Sequence, residues 1–336
     1  MPKLLEGRVA VVTGAGRGLG RGHAMLMVAQ GARVVVNDVG GASDGVGASK
    51  SPADEVVDEI IKIGGTAVAN YDSVSTPEGA DNIIKTALDN FGQLDIMVNN
   101  AGILRDRMVF NMGDDEWDLV MKVHLYGTFY CTRVASRLMR GQRYGRIINT
   151  SSISGLGNMG QANYSAAKEA IVGFSRTVAR DLSRYGVTCN AVRPGAATRM
   201  TITDELYEAR KRSWGQELAD EWRKLTESRQ PEDVSPLVAY LASEQAGNIN
   251  GCVFEARGNF IGMYADPPRL GVTMRTQNGR WTPEELAELM PKALAGSLKE
   301  LPTSAEQLLA PDATGWELTG GQLKQIQAFL PDLARG

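Results

Sequence analysis

Tyr164 and Lys168 are the two residues whose types and spacing best suit chemistry. They stand four positions apart, so a helix would place both side chains on one face, a turn apart. The pKa of a free tyrosine is ~10 and that of a free lysine is ~10.4, so neither side chain by itself is an effective acid or base catalyst at neutral pH. An ammonium ~4 Å from a phenolate attracts it by roughly 4 kcal/mol at an effective dielectric of ~20. The spacing therefore predicts that Lys168 lowers the pKa of Tyr164 and makes it a general base.

Such a pair is common on ordinary exposed helices, so the prediction depends on a cofactor and a third polar group. A glycine-rich turn near the start of the chain indicates where a cofactor would bind. Residues 8–13 form a short, β-branched, apolar run, which is typical of a strand buried on both faces. A turn then leads into a helix that reaches about residue 30; the turn contains Gly14, Arg17, Gly18, Leu19 and Gly20. Glycines let the backbone approach a pyrophosphate, and the helix start offers free N–H groups to it.

Asp38 ends the second predicted strand, over residues 32–37, and stands 18 residues after Gly20. Strand, glycine turn, helix, strand and acid make up a dinucleotide-binding unit. The carboxylate can accept hydrogen bonds from both hydroxyls of an adenosine ribose and would repel a 2′-phosphate. We therefore predict NAD as the cofactor, although Arg17 in the turn could hold the extra phosphate of NADP.

Polar residues also follow the next two predicted strands. Asp72 and Ser73 follow the strand over 66–71, where the aspartate could bond the adenine amino group or serve only as a turn residue. The strand over 94–98 leads into Asn99, Asn100, Ala101 and Gly102. Ligands bind such sheets at the carboxyl ends of strands. An asparagine there could satisfy loop backbone groups or cofactor hydroxyls.

Strands and helices alternate regularly along the rest of the chain, which predicts an α/β fold. We expect a Rossmann-type, doubly wound parallel sheet of about seven strands with helices on both faces. Further strands are predicted over 145–150, 187–193 and 252–255, and helices over 52–63, 77–91, 116–140, 162–185 and 231–242.

Two segments are predicted outside this alternation. Residues 200–230 are charged and helical and would form a substrate lid or a solvated helical hairpin. After a dehydrogenase domain over 1–262, residues 263–336 are expected to form a small helical extension, which includes a capping box at Thr282-Pro283-Glu284-Glu285.

Composition narrows the function classes. Apolar residues make up 43% and charged residues 22% of the 336, with a net charge of −3, so nothing indicates nucleic acid or an anionic membrane. Three distant cysteines argue against a disulfide framework, and two histidines without cysteine clusters argue against a metal. Neither a signal peptide nor an apolar run near ~20 residues occurs, so we expect a cytoplasmic protein.

With these motifs in order, the chain resembles the short-chain dehydrogenase/reductase family. The matching residues are the glycine turn, Asn99-Asn100-Ala101-Gly102, a serine ahead of Tyr164-x-x-x-Lys168, and Pro194-Gly195. The resemblance covers about residues 5–260. It implies a catalytic Ser, Tyr and Lys, cofactor contacts from the motif residues and from Thr198, a small-molecule substrate, and a homodimer or homotetramer.

A narrower resemblance is to the dehydrogenase part of the type 2 peroxisomal multifunctional enzymes. It is carried by residues 37–41, 69–73, 102–107 and 160–168. It implies NAD-dependent oxidation of a 3-hydroxyacyl-CoA. A dehydrogenase of 17β-hydroxysteroids or other alicyclic alcohols is the alternative, followed by a ketoacyl-thioester reductase. A non-catalytic nucleotide sensor would be expected to lose Tyr164 and Lys168 first.

Two positions depart from the broad family pattern. His124 stands where the family usually has an asparagine that holds a water in a proton relay. We expect it either to pass a proton onward or to be a packed helix histidine. The family spacing of the serine would select Ser151, whereas counting from the strand and the Ser-x-x-Gly pattern select Ser152. We predict Ser152 as the residue that orients the substrate oxygen.

Overall fold

A single twisted sheet carries the residues singled out above. The computed structural model describes residues 3–198, 201–202, 204–265, 268, 273–275 and 280–294. Within them, eight strands pair in the order β3-β2-β1-β4-β5-β6-β7-β8. The strands are β1 Val9–Thr13, β2 Arg33–Asn37, β3 Thr66–Asn70, β4 Ile96–Asn99, β5 Gly145–Thr150, β6 Val187–Gly195, β7 Val253–Arg257 and β8 Phe260–Met263.

The order of the strands reverses next to β1, which pairs in parallel with both β2 and β4. In open α/β sheets this reversal opens a crevice at the carboxyl ends of the strands. The ten helices of the described residues are α1 Gly18–Ala29, α2 Ser51–Lys62, α3 Pro77–Phe91, α4 Asp114–Met121, α5 Gly127–Gln142, α6 Ala162–Leu182, α7 Asp204–Trp214, α8 Gln216–Glu227, α9 Ser235–Leu241 and α10 Pro283–Leu294.

Helices cover both faces of the sheet, as the uniformly apolar strands predict. Successive side chains of β1 point to opposite faces. Ala10 and Val12 pack in one hydrophobic cluster with residues of α1, α2 and α9. Val9 and Val11 pack in another with residues of α3, α5 and α6. The predicted doubly wound Rossmann-type fold is therefore confirmed. None of the described helices is long and apolar enough to cross a membrane.

The sheet differs from the prediction at its last edge. The expected seven parallel strands are joined by β8, which runs antiparallel to β7. Gly258 makes the reversal possible, since its φ of +50° lies in the left-handed region. Residues of β8 alternate between half-buried and exposed, so they give none of the continuous apolar signal of the buried strands.

Two predicted helices are interrupted. The helix expected over 116–140 consists of α4, a π-helical turn over Lys122–Tyr126, and α5. The helix expected over 231–242 begins as a 3-10 turn, Pro231–Asp233, before α9. The segment predicted to be a substrate lid or a solvated helical hairpin contains α7 and α8, separated at Gly215 with φ +90°.

The capping box at the start of α10 forms as predicted. The Glu285 amide donates to Thr282 Oγ1 at 3.2 Å, and the Thr282 amide donates to Glu285 Oε2 at 2.8 Å. Of the predicted extension, residues 266–267, 269–272, 276–279 and 295–336 lie outside the described residues.

Candidate active site

Tyr164 and Lys168 lie in the first two turns of α6, on one face, as their spacing predicts. Tyr164 is half-buried and Lys168 is only 3% exposed. The Lys168 ammonium lies 5.5 Å from the centroid of the Tyr164 ring. Its Nζ donates to the Thr150 carbonyl at the end of β5 over 2.6 Å. The strand end therefore anchors the lysine beside the phenol.

The pKa of Tyr164 is shifted upward in the structure, whereas the spacing to Lys168 predicts a downward shift. Burial raises the pKa of Tyr164 to about 12, while hydrogen bonding to Ser152 acts in the opposite direction. Burial also lowers the pKa of Lys168 to about 7, so the ammonium is only partly charged at neutral pH. The attraction estimated from two full charges is therefore weakened, and the loss of hydration around the phenolate dominates.

Ser151 and Ser152 have different surroundings at the end of β5. The Ser151 hydroxyl donates to the Lys168 carbonyl at 2.8 Å and is 1% exposed. The Ser152 hydroxyl hydrogen-bonds with Tyr164 and accepts from the Ser154 amide at 3.1 Å. Ser152 is thus the serine that the structure brings to the phenol, and Ser151 secures helix α6.

His124 lies in the π-helical turn, 1% exposed, with its ring edge-on to Tyr164 at a centroid distance of 5.1 Å. Nε2 lies 2.8 Å from the Ile103 carbonyl, to which it can donate in one tautomer, and 3.1 Å from the Ile103 amide, from which it can accept in the other. Nδ1 has no hydrogen-bond partner in the described part of the chain. Burial, with Lys168 nearby, holds the pKa of His124 well below its usual range. The imidazole is therefore neutral, and a Cβ on Gly102 would come within 2.5 Å of its Cε1.

The glycine turn between β1 and α1 is built for close approach. Gly14 and Gly18 have φ of +63° and +53°, and a Cβ on Gly20 would lie 2.1 Å from the Gly14 carbonyl oxygen. Arg17 is exposed and Leu19 half-buried, and the side chain of Arg17, the N-cap residue, makes no capping hydrogen bond to α1. A helix start beneath a glycine-rich turn fits the pyrophosphate of a dinucleotide.

Asp38 joins this turn to the end of β2. Its two carboxylate oxygens accept from the amides of Gly16 at 2.9 Å and Gly40 at 2.7 Å. The carboxylate is therefore fixed at the edge of the crevice, where the adenosine ribose of a dinucleotide would lie.

Asn100 also serves the turn. Its side-chain amide donates to the carbonyls of Thr13 at 3.0 Å and Gly14 at 3.1 Å. The Ala101 amide donates to the Thr13 hydroxyl at 3.1 Å. Of the two roles left open by the sequence, the structure shows Asn100 satisfying loop backbone groups, and its contact with a cofactor stays a prediction.

Asp72 and Ser73 make local contacts after β3. The carboxylate of Asp72 accepts hydrogen bonds from the side-chain amides of Asn70 at 2.8 Å and Asn82 at 3.1 Å. The Ser73 hydroxyl pairs with that of Ser75 at 2.8 Å. These bonds match the turn role, which the sequence had left as an alternative to an adenine contact.

Thr198, beyond the end of β6, approaches the glycine turn from the other side. Its Cγ2 would lie 3.6 Å from a Cβ on Gly18. Pro194 and Gly195 end β6 and pair with Ala256 and Arg257 of β7. The crevice is thus bounded by the glycine turn, the ends of β4 and β5, and the segment that leads to α7.

Sequence reasoning did not assign Asn163, which the structure places at the base of the site. This fully buried residue accepts from the Tyr164 amide at 2.7 Å and donates to the carbonyls of Arg105 at 2.9 Å and Glu116 at 3.0 Å. It ties the start of α6 to the loop after β4 and to α4. Its place beside Tyr164 in a motif already noted was the available signal.

A phenol, a lysine and a serine hydroxyl beside a dinucleotide cradle can move a proton on a substrate oxygen while the cofactor exchanges a hydride. A family profile described as short chain dehydrogenase matches residues 8–210. The chain belongs to the short-chain dehydrogenase/reductase family and is an oxidoreductase acting on CH–OH groups.

Particular relatives narrow the comparison. The chain is 45% identical to mouse peroxisomal multifunctional enzyme type 2 over 85% of its own length but only 36% of the mouse protein. It is 41% identical to a hydroxyacyl-CoA dehydrogenase of Mycobacterium tuberculosis over 91% of this chain and 94% of that protein. A crystal structure of a short chain dehydrogenase from Mycobacterium avium superposes with a TM-score of 0.75 at 42% identity, covering 89% and 99% of the two chains.

Proposed function

We propose that this protein is an NAD-dependent 3-hydroxyacyl-CoA dehydrogenase that interconverts a secondary alcohol and a ketone. The observation that carries the proposal is the convergence of Ser152, Tyr164 and Lys168 beside the glycine turn. The acyl-CoA substrate is supported by the name of one relative, a hydroxyacyl-CoA dehydrogenase, which this chain matches along nearly the whole length of both proteins.

In the oxidation direction, Tyr164 takes the proton of the substrate hydroxyl. Ser152 orients the substrate oxygen and stabilises the charge that develops there. Lys168, fixed on the Thr150 carbonyl, favours the phenolate to the extent that it is charged. When bound, NAD⁺ would supply the hydride acceptor and a positive charge in the crevice. Neutral His124, with its Nδ1 unpartnered among described residues, is the candidate acceptor in an onward proton path.

The preference for NAD over NADP is supported by Asp38. Its carboxylate is held by two backbone amides, so it cannot withdraw from a 2′-phosphate without breaking both bonds. Gly14, Arg17, Gly18, Leu19 and Gly20 would surround the pyrophosphate, and Thr198 would contact the carboxamide. Asp72, Ser73, Asn100, Ala101, Gly102, Pro194 and Gly195 complete the proposed cofactor contacts.

The substrate lid, the oligomeric state and the cellular location are proposals as well. Helices α7 and α8 form the substrate lid, in which Arg210 lies 4.3 Å from the ring centroids of both Trp214 and Trp222. A homodimer or homotetramer and a cytoplasmic location remain predictions. Since a relative is named as a peroxisomal enzyme, imaging of the tagged full chain tests the cytoplasmic prediction against a peroxisomal location.

A substrate panel tests this proposal. Purified protein is mixed with NAD or NADP and with 3-hydroxyacyl-CoAs or 17β-hydroxysteroids, and formation of the reduced cofactor is followed by absorbance. We expect turnover with hydroxyacyl-CoA and NAD. Turnover confined to steroids would refute the proposed acyl-CoA substrate. Absence of turnover with every compound would refute the proposed dehydrogenase activity.

Tyr164→Phe tests the base itself. Loss of a general base reduces the rate by roughly 10²–10⁴, while binding of NADH, followed by its fluorescence, should persist. Tyr240→Phe, which alters an exposed tyrosine of α9, is the matched control and should keep full turnover. Retained turnover in the Tyr164 variant would refute the assignment.

A further inference from the structure

Residues 40–50, between β2 and α2, form a glycine-rich segment to which the proposed mechanism gives no role. The segment is folded back on itself. The Ser49 amide donates to the Val39 carbonyl at 2.9 Å, and further along the Ala42 amide donates to the Val46 carbonyl at 2.8 Å. These two hydrogen bonds make residues 40–50 a narrow loop with a defined path, which we call the strap.

The tip of the strap is bonded to the loop that follows β4. The Ser43 carbonyl accepts a hydrogen bond from the Leu104 amide at 2.9 Å. The Asp44 carbonyl accepts a hydrogen bond from Arg105 Nε, also at 2.9 Å. The strap is therefore attached at two places, to β2 through the main chain and to the loop after β4 through its tip.

These two attachment points lie on opposite sides of the glycine turn. Strand β1 pairs with β2 on one side and with β4 on the other, and the glycine turn begins at its carboxyl end. Since β2 and β4 are two strand spacings apart, the strap spans a gap of about 10 Å. It therefore crosses the crevice in which open α/β sheets bind their ligands. Residues 44–50 are exposed, so the strap separates this crevice from solvent.

The strap also begins at the proposed ribose contact. Asp38 Oδ1 accepts from the Gly40 amide at 2.7 Å, and Oδ2 accepts from the Gly16 amide at 2.9 Å. The same carboxylate thus joins the base of the strap to the glycine turn. A dinucleotide with its pyrophosphate on that turn and its ribose at Asp38 would lie beneath the strap.

Arg105 is itself held in place where it bonds the tip. Its side chain is 22% exposed, and Nη1 lies 3.6 Å from Asp115 Oδ2 of α4. Its carbonyl accepts from the side-chain amide of Asn163 at 2.9 Å, and Asn163 in turn accepts from the Tyr164 amide. A charged donor makes a stronger hydrogen bond than a neutral one. The tip is therefore bonded to the same framework that holds the proposed base.

We propose that the strap is the outer wall of the dinucleotide site and that Arg105 is the positioning residue that keeps this wall closed. The proposal rests on the proposed function, because it requires a dinucleotide in the crevice. The dinucleotide has to displace the strap tip when it enters and again when it leaves. The strap therefore slows both association and dissociation, whereas a residue that only contacts the bound ligand slows dissociation alone.

Arg105→Met tests this role, because it removes the donor to Asp44 but keeps the backbone carbonyl that Asn163 uses. Binding of NADH is followed by stopped-flow fluorescence. The observed rate constant is plotted against NADH concentration, so that the slope gives association and the intercept gives dissociation. We expect both rate constants to rise roughly three- to tenfold, for the loss of one of the two hydrogen bonds at the tip. The dissociation constant should change less than either rate constant.

Two further variants separate the strap from the loop that supports it. Gly45→Ala loosens the tip from the other side, since Gly45 has φ +86° and a Cβ there would lie 3.2 Å from Ile103 Cδ1. It should raise both rate constants as Arg105→Met does. Arg107→Met is the matched control, because Arg107 belongs to the same loop and its Nε donates to Glu116 at 3.0 Å. This variant should keep both wild-type rate constants.

The proposal is overturned if the association rate constant stays at its wild-type value in Arg105→Met and Gly45→Ala, or if Arg107→Met raises it as far. A rise in dissociation alone would show that Arg105 only stabilises the bound dinucleotide, and it would also refute the proposed wall.

These rate constants need neither substrate nor turnover. Failure of the substrate panel would therefore refute the proposed dehydrogenase activity without changing them. If NADPH binds in place of NADH, the same rate constants are measured with NADPH, since either dinucleotide has to pass the strap. A protein that binds neither dinucleotide would refute both proposals.

Discussion

Ser151 and Ser152 should differ sharply in what their loss does, although they are neighbours in the chain. Ser152→Ala removes the hydroxyl that meets Tyr164, where the substrate oxygen would lie. Loss of one such donor typically costs 10²–10³ in kcat, or about 3–4 kcal/mol of transition-state stabilisation. Ser151→Ala instead removes the 2.8 Å bond to the Lys168 carbonyl from a position that is 1% exposed. A buried hydrogen bond of this kind is worth about 1 kcal/mol of folding stability.

Two assays on both variants separate these outcomes. Initial rates at saturating substrate give kcat, and urea denaturation gives the unfolding free energy. We expect Ser152→Ala to lose activity by at least a hundredfold with a stability close to wild type, and Ser151→Ala to lose about 1 kcal/mol while keeping most of its kcat. A larger loss of kcat in Ser151→Ala than in Ser152→Ala would refute our alignment of this loop.

Two further predictions concern the cofactor edge and the core. Asp38→Ala should lower kcat/KM with NAD by roughly ten- to a hundredfold, as expected for lost charge-assisted bonds, and shift preference towards NADP; a wild type that already prefers NADPH would contradict it. His23 is buried with its Nδ1 2.9 Å from the Ser235 hydroxyl, and burial lowers its pKa from 6.5 to about 4. The unfolded state therefore takes up the proton first, so stability should be full above pH 6.5 and fall by up to about 3 kcal/mol towards pH 4. His23→Asn should flatten that slope in urea titrations; an unchanged slope would exclude His23 as its origin.

Local spacing and periodicity were enough to predict much of this protein. Buried strands have continuous apolar runs, so the core of the sheet and its helix layers could be predicted from residues such as Val9–Thr13. The glycine turn, Asp38 and the Tyr164–Lys168 spacing depend on backbone geometry within one segment, and the structure keeps each where the sequence predicts it. The edge strand β8 was not predicted, because the residues of a half-exposed edge strand do not form a continuous apolar run.

Long-range packing decided the rest. The choice of Ser152 over Ser151 depends on which hydroxyl helix α6 already occupies, and that contact spans 17 positions of the chain. The pKa of Tyr164 depends on burial, which the four-residue spacing to Lys168 does not contain. Arg105 reaches the Asp44 carbonyl across 61 positions. A charge or a buried surface acts through space, so its neighbours become known only when the chain has folded.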